Sequence, residues 1–172
     1  MSQDQKLPMV VFTDIDGVWT DGGMYYDQTG NEWKKFNTRD SAAILFLRQL
    51  DIPVVVITGE DTDIMRRRAE KLKLPFVYHG VKDKVAVAKA FCDERNIQWK
   101  DAAFIGDDLL DIPLLKLVGI SGCPSDAPNY IQDLVTVVVK NKGGEGAFRD
   151  FVEEIIQRSG RWNEVIQYWM NK

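Results

Sequence analysis

Asp14 and Asp16 stand one residue apart at the end of the apolar run Met9-Val10-Val11-Phe12. Such a run reads as a buried strand, and acids delivered to its end need a cation or a proton to compensate them. In open α/β sheets, ligand chemistry collects at the carboxyl ends of strands. Gly17 follows directly, where a sharp turn leaves no room for a side chain. Three further groups fall on the same expected rim. Val54-Val55-Val56-Ile57 runs into Thr58-Gly59-Glu60, and Ala103-Phe104-Ile105 runs into Gly106-Asp107-Asp108, with Asp111 just beyond. Lys84 opens a helix after His79-Gly80-Val81-Lys82-Asp83. Taken singly, a Thr after a strand is a cap and a helix lysine is solvated. The order Asp-x-Asp, Thr, Lys, Gly-Asp-Asp-x-x-Asp carries the signal.

The elements that must position these groups follow from periodicity. Strand-like runs recur at 9–13, 54–58, 76–78, 102–105, 119–121 and 135–139, separated by helical patterns. That alternation predicts an α/β fold, a parallel sheet with crossover helices. Asp61-Thr62-Asp63 supplies capping residues for one helix, with Ile64, Arg68 and Leu72 on one face. Residues 84–95 form another. Phe148, Phe151, Val152, Ile155 and Ile156 match the amphipathic template, as do Trp162, Val165, Ile166, Trp169 and Met170 after Ser159-Gly160. One segment breaks the rhythm. Met24-Tyr25-Tyr26 and residues 31–36 flank Asp27-Gln28-Thr29-Gly30, which reads as a β-hairpin with Gly30 at positive φ. An isolated aromatic hairpin is marginal in water, so burial against another subunit is expected.

Composition bounds the rest. With 172 residues, the chain is expected to form a single domain over 1–172. Its net charge of −4, without a basic tract, argues against a nucleic-acid partner. No apolar stretch is long enough for a membrane span, and residues 1–6 lack signal-peptide features, so a cytoplasmic setting is expected. Cys92 and Cys123 have no disulfide-framework or metal spacing, and Cys92 falls on an apolar helix face with Ala88.

The four-part order resembles the haloacid dehalogenase superfamily, most of whose members are Mg2+-dependent phosphohydrolases. The resemblance implies a Rossmann-like three-layer sheet with flanking helices. It implies Asp14 as nucleophile, forming an aspartyl-phosphate, and Asp16 as the acid and base for leaving group and water. It implies Mg2+ on an Asp14 oxygen, the Asp16 backbone carbonyl and Asp107, with Thr58 and Lys84 on the phosphoryl oxygens. Asp108 and Asp111 would orient metal waters or Lys84. Independently, neither interval between the motifs has room for a folded cap domain. The first holds the hairpin and a helix near 41–50, and the second holds one helix and one short strand. Phosphoryl transfer benefits from excluding water, so either a large substrate or neighbouring subunits must cover the site.

Within the superfamily, the chain resembles the lidless tetrameric branch acting on 2-keto-3-deoxy sugar acid phosphates. The matching stretches are Asp14-Ile15-Asp16-Gly17-Val18, Asp21-Gly22, Phe36-Asn37-Thr38-Arg39-Asp40, Thr58-Gly59, Gly106-Asp107-Asp108 and Gly143-Gly144-Glu145-Gly146-Ala147-Phe148-Arg149. This implies a homotetramer in which the hairpin (about 22–36) and C-terminal segment reach adjacent sites. Gly143-Gly144-x-Gly146 is flexible by composition and precedes Arg149, which could meet an anionic ligand. Two branches compete: nononate 9-phosphate phosphatases, serving sialic-acid-type sugars, and 3-deoxy-octulosonate 8-phosphate phosphatases, serving lipopolysaccharide. Glu60, the stretch from Val18 to Met24 and Arg66-Arg67-Arg68-Ala69-Glu70-Lys71 look like the nononate branch; the octulosonate enzymes typically carry Arg after Thr-Gly. An N-acetylated nine-carbon acid is a further candidate substrate. Glu60 can accept bonds from sugar hydroxyls. Arg68 should find Glu60, the substrate carboxylate or a neighbouring subunit, and Lys71 is a further substrate contact. From another class, a signalling receiver domain also clusters acids, a Thr and a Lys. Receivers, however, place the phospho-acceptor on a middle strand and the Lys last.

Overall fold

The computed structural model describes residues 6–172; the polar stretch before Lys6 lies outside the described residues. The six expected runs form one parallel sheet. In chain order the strands are β1 (Val10–Thr13), β4 (Val54–Ile57), β5 (Phe76–Tyr78), β6 (Ala102–Ile105), β7 (Ile120–Cys123) and β8 (Val137–Val138). Their spatial order is β5-β4-β1-β6-β7-β8, with Phe12 beside both Val55 and Phe104. From β1 the chain fills one side of the sheet, then crosses to the other, so the winding direction reverses at β1. That reversal opens a crevice at the carboxyl ends of β1, β4 and β6.

Strand alternation sorts the core into two layers. Val11, Val54, Val56, Ala103 and Ile105 face one cluster, closed by α1 (Arg39–Gln49), α2 (Asp63–Leu72), α6 (Ala147–Arg158) and α7 (Trp162–Met170). Val10, Phe12, Val55, Ile57 and Phe104 face the other, closed by α3 (Lys84–Glu94), α4 (Ile112–Leu115) and α5 (Asn129–Gln132). Both faces are covered, so β1, β4 and β6 are buried throughout and apolar but for Thr13 at the end of β1. Trp162 meets Phe46 edge-on at 5.7 Å, which seats α7 on its own chain's helical layer. Both cysteines are buried thiols.

The hairpin stands apart as a two-stranded sheet of β2 (Tyr25–Tyr26) and β3 (Glu32–Trp33). Its base is closed by a bridge between Thr20 and Phe36. Gly30 has φ +87, and the Asp27 carboxylate ties the turn by accepting from the Thr29 and Asn31 amides. Two expectations need correction. Thr62 sits at the N-cap of α2 but accepts no capping bond, so that helix begins without a side-chain cap. The Gly143-Gly144 loop is buried rather than loose: the Gly144 N–H donates to the Val18 carbonyl, and a Cβ at Gly143 would overlap the Gly17 carbonyl. Glycine there serves close approach, so this loop braces the turn that carries Asp16.

Candidate active site

Each predicted group sits where its element ends. Asp14 and Asp16 follow β1, Thr58 to Glu60 follow β4, Asp107 and Asp108 follow β6, and Lys84 opens α3. They line one cleft of about 380 Å³, together with Gly17, Gly22, Gly59, Leu110 and Asp111. Gly17 is indispensable to this closeness. It has φ +84, and a Cβ there would run into the Asp107 carboxylate. Behind the turn, the Trp19 indole N–H donates to Thr13 Oγ1 at 2.9 Å and its ring packs on Phe148 at 4.9 Å.

At the floor, Lys84 Nζ donates to Asp111 Oδ1 at 2.6 Å and pairs with Asp14 Oδ1 at 2.9 Å. The other Asp111 oxygen accepts the backbone N–H groups of Asp107 and Asp108. Asp111 therefore orients Lys84 and the Asp107 turn, as its position after Gly106-Asp107-Asp108 foretells. Burial disfavours charge on Lys84, but the two carboxylates outweigh it and hold the ammonium above its ordinary value. Burial, then repulsion from Asp111, pushes Asp14 up to about 7 despite Lys84. Burial, then repulsion from Asp14 and Asp111, pushes Asp107 up to about 8.

This cluster has more negative charge than one lysine neutralises. Carboxylate oxygens of Asp14, Asp107 and Asp111 all lie within 4.8 Å of one another, and Asp107 Oδ1 is buried without a hydrogen-bond partner. Hard oxygen donors around an unsatisfied buried oxygen fit a divalent cation. The Asp16 carboxylate lies outside that group.

The acid at position 16 faces a residue that the sequence reading passed over. Lys34, just past β3, places Nζ 2.5 Å from Asp16 Oδ1 and also pairs with Glu60 Oε2. Its only sequence signal is its place after the outward Trp33, since strand neighbours face opposite ways. Glu60 thus pairs with Lys34, not Arg68. Arg68 instead donates to the Asn37 carbonyl and Ser41 Oγ and lies 5.5 Å over the Phe36 ring. Lys71 is exposed on α2. Arg149 is drawn back along α6, with Nε donating to Glu153 at 2.6 Å and the guanidinium 5.6 Å over Phe46. None of these three lines the cleft of its own chain.

Comparison with known proteins agrees with this geometry. Residues 76–149 match the model of the haloacid dehalogenase-like hydrolase family. The 3-deoxy-D-manno-octulosonate 8-phosphate phosphatase of Haemophilus influenzae is 36% identical over 91% of this chain and 88% of its own length. A solved cobalt-bound form of the H. influenzae enzyme aligns with TM-score 0.86 and 35% identity, covering 93% of this chain and 94% of that one. The Moraxella catarrhalis enzyme, solved with magnesium, phosphate and a KDO molecule, aligns with TM-score 0.91 at 26% identity, over 98% and 97% of the two chains. Continuous likeness across the sheet and its loops leaves no space in this chain for a different fold. It belongs to the haloacid dehalogenase-like hydrolases, and is a phosphoric monoester hydrolase acting on sugar phosphates.

Proposed function

We propose that the chain removes the terminal phosphate of a 2-keto-3-deoxy nononate 9-phosphate through an aspartyl-phosphate on Asp14. The observation that carries the reading is the convergence of Asp14, Asp16, Thr58, Lys84 and Asp107 on one cleft. Asp14 attacks phosphorus as the bond from phosphorus to the sugar oxygen breaks, and Asp16 gives that oxygen a proton. Asp16 then takes a proton from water, whose oxygen attacks the acyl phosphate and releases inorganic phosphate and free Asp14. Thr58 and Lys84 hold the phosphoryl oxygens where charge accumulates. The cofactor is Mg2+, held by Asp14, the Asp16 carbonyl and Asp107. When bound, it screens the like charges of carboxylate and phosphate.

The nine-carbon choice rests on Glu60. Its carboxylate lines the mouth beside Thr58 and is 41% exposed, so it can receive sugar hydroxyls. A second reading, the octulosonate 8-phosphate, is favoured by the names of the relatives. The sugar carboxylate is met by Arg68 and Lys71, with Arg149 beyond them, supplied by a neighbouring subunit of a homotetramer. Their positions away from their own chain's cleft support that assignment. Phosphate release from nononate 9-phosphate, its N-acetylated counterpart and octulosonate 8-phosphate tests the reading. The highest kcat/KM is expected on a nine-carbon acid. Preference for the octulosonate overturns the Glu60 argument and leaves the chemistry standing.

A further inference from the structure

Lysine is among the residues least often buried unless paired, so a concealed one needs a reason. The Lys34 side chain is 6% exposed, while its neighbour Trp33 is 52% exposed. Its ammonium is spent on Asp16 Oδ1 and Glu60 Oε2. Burial opposes the charge, but these two bonds outweigh it and hold the group above its ordinary value. Asp16 and Glu60 line the cleft, and Lys34 holds them without lining it. Thr20 Oγ1 donates to the same oxygen, Asp16 Oδ1, at 3.3 Å. Both donors hold Oδ1, and among the described residues none donates to Oδ2.

We propose that Lys34 is a positioning residue for leaving-group protonation: by fixing Asp16 Oδ1 it turns Oδ2 toward the leaving oxygen. This rests on the reading of Asp16 as the acid. A carboxylate with one oxygen pinned from behind keeps a single rotamer, and its free oxygen carries the proton. Because Lys34 extends from the hairpin, the same ion pair fastens the hairpin stem to the catalytic turn.

The test compares leaving groups. A sugar alkoxide leaves only with a proton, whereas p-nitrophenolate leaves without one. In Lys34→Met, kcat/KM on the preferred sugar acid phosphate, which reports steps only up to departure of the sugar, is expected to fall about 100-fold, the lower range of general-acid contributions. On p-nitrophenyl phosphate the fall is expected to stay below about threefold, with KM little changed on either substrate. Lys34→Arg should restore most of the lost kcat/KM, and Glu60→Gln should raise KM without leaving-group selectivity. Lys34→Gln gives the same comparison should the methionine variant not fold. Equal losses on both substrates, or a raised KM with kcat intact, overturn the proposal. A wild-type protein that cleaves neither ester with Mg2+ overturns the functional reading instead.

Discussion

The floor of the cleft is a charge balance struck among three acids and one lysine. Asp111 accepts from buried Lys84 and from the Asp107 and Asp108 backbone N–H groups, so removing its carboxylate leaves three donors short of an acceptor. Asp111→Ala is expected to cost about 3 kcal/mol in urea unfolding and to lower kcat, since Lys84 loses its anchor. A stability equal to wild type would show that Asp111 holds nothing in place. Asp14 and Asp107, raised to about 7 and 8, bind protons where a metal must bind. The metal needs the ionised forms, so protons compete with it below those values. Mg2+ is therefore expected to bind more tightly at pH 8 than at pH 6, as titration calorimetry reads directly; affinity flat across that range contradicts the assignment. The acids, Thr58 and Lys84 were legible because each ends an apolar run or opens a helix. Lys34 was not legible, because its role depends on how the hairpin folds back over the Asp16 turn. Arg149 stays out of its own chain's cleft because Glu153, one turn along α6, pairs with it.

Elements here are held by side chains from distant parts of the chain. Gly146, the N-cap of α6, has no side chain to offer, and Asp40 from α1 accepts the Arg149 N–H at 2.9 Å in its stead. The other Asp40 oxygen is buried without a partner, and burial pushes this carboxyl up to about 7, against the pull of the Arg149 N–H and Arg68. An acid whose folded pKa is raised keeps its proton in the native state after the unfolded chain has lost it. Its contribution to stability therefore falls as pH rises from about 4 to about 7, then levels off. Each unit by which the folded pKa exceeds the unfolded one is worth about 1.4 kcal/mol. Asp40→Asn keeps an acceptor and cannot ionise, so its Tm should gain on wild type between pH 4 and pH 7. A gap that does not change with pH would place the charge of Asp40 elsewhere. The strands β1, β4 and β6 were readable because a sheet covered on both faces makes them runs of apolar residues, broken only by Thr13 at the end of β1. At the edge, β8 shrinks to Val137–Val138 because only Gly122 and Cys123 of β7 pair with it. The short helices α4 and α5 escaped because four residues give no period to read.

At the scale of the whole molecule, the hairpin is the part least able to justify itself within one chain. Its strands are two residues long, and its two faces leave Met24 66%, Tyr26 61% and Trp33 52% exposed, Trp33 lying opposite Tyr25 and Tyr26 opposite Glu32. A two-stranded sheet with exposed aromatic residues is marginal in water and marks an interaction site. Just past the second strand, Lys34 grips Asp16 and Glu60. Strand alternation thus joins an assembly surface to the catalytic acid through adjacent residues, Trp33 and Lys34. Tyr26→Glu with Trp33→Glu places one charge on each exposed face of the hairpin and leaves the cleft residues untouched. The wild-type particle is expected to have four times the 19.6 kDa chain mass by light scattering, and the double variant a single chain's mass. On the proposal that Arg68 and Lys71 act across the interface, KM for the sugar acid phosphate should rise about tenfold in the double variant. The KM for p-nitrophenyl phosphate, which has no carboxylate on a sugar chain to lose, should stay near wild type. A monomer with unchanged KM for both substrates would mean that each chain completes its own site, and that the aromatic hairpin serves something other than catalysis.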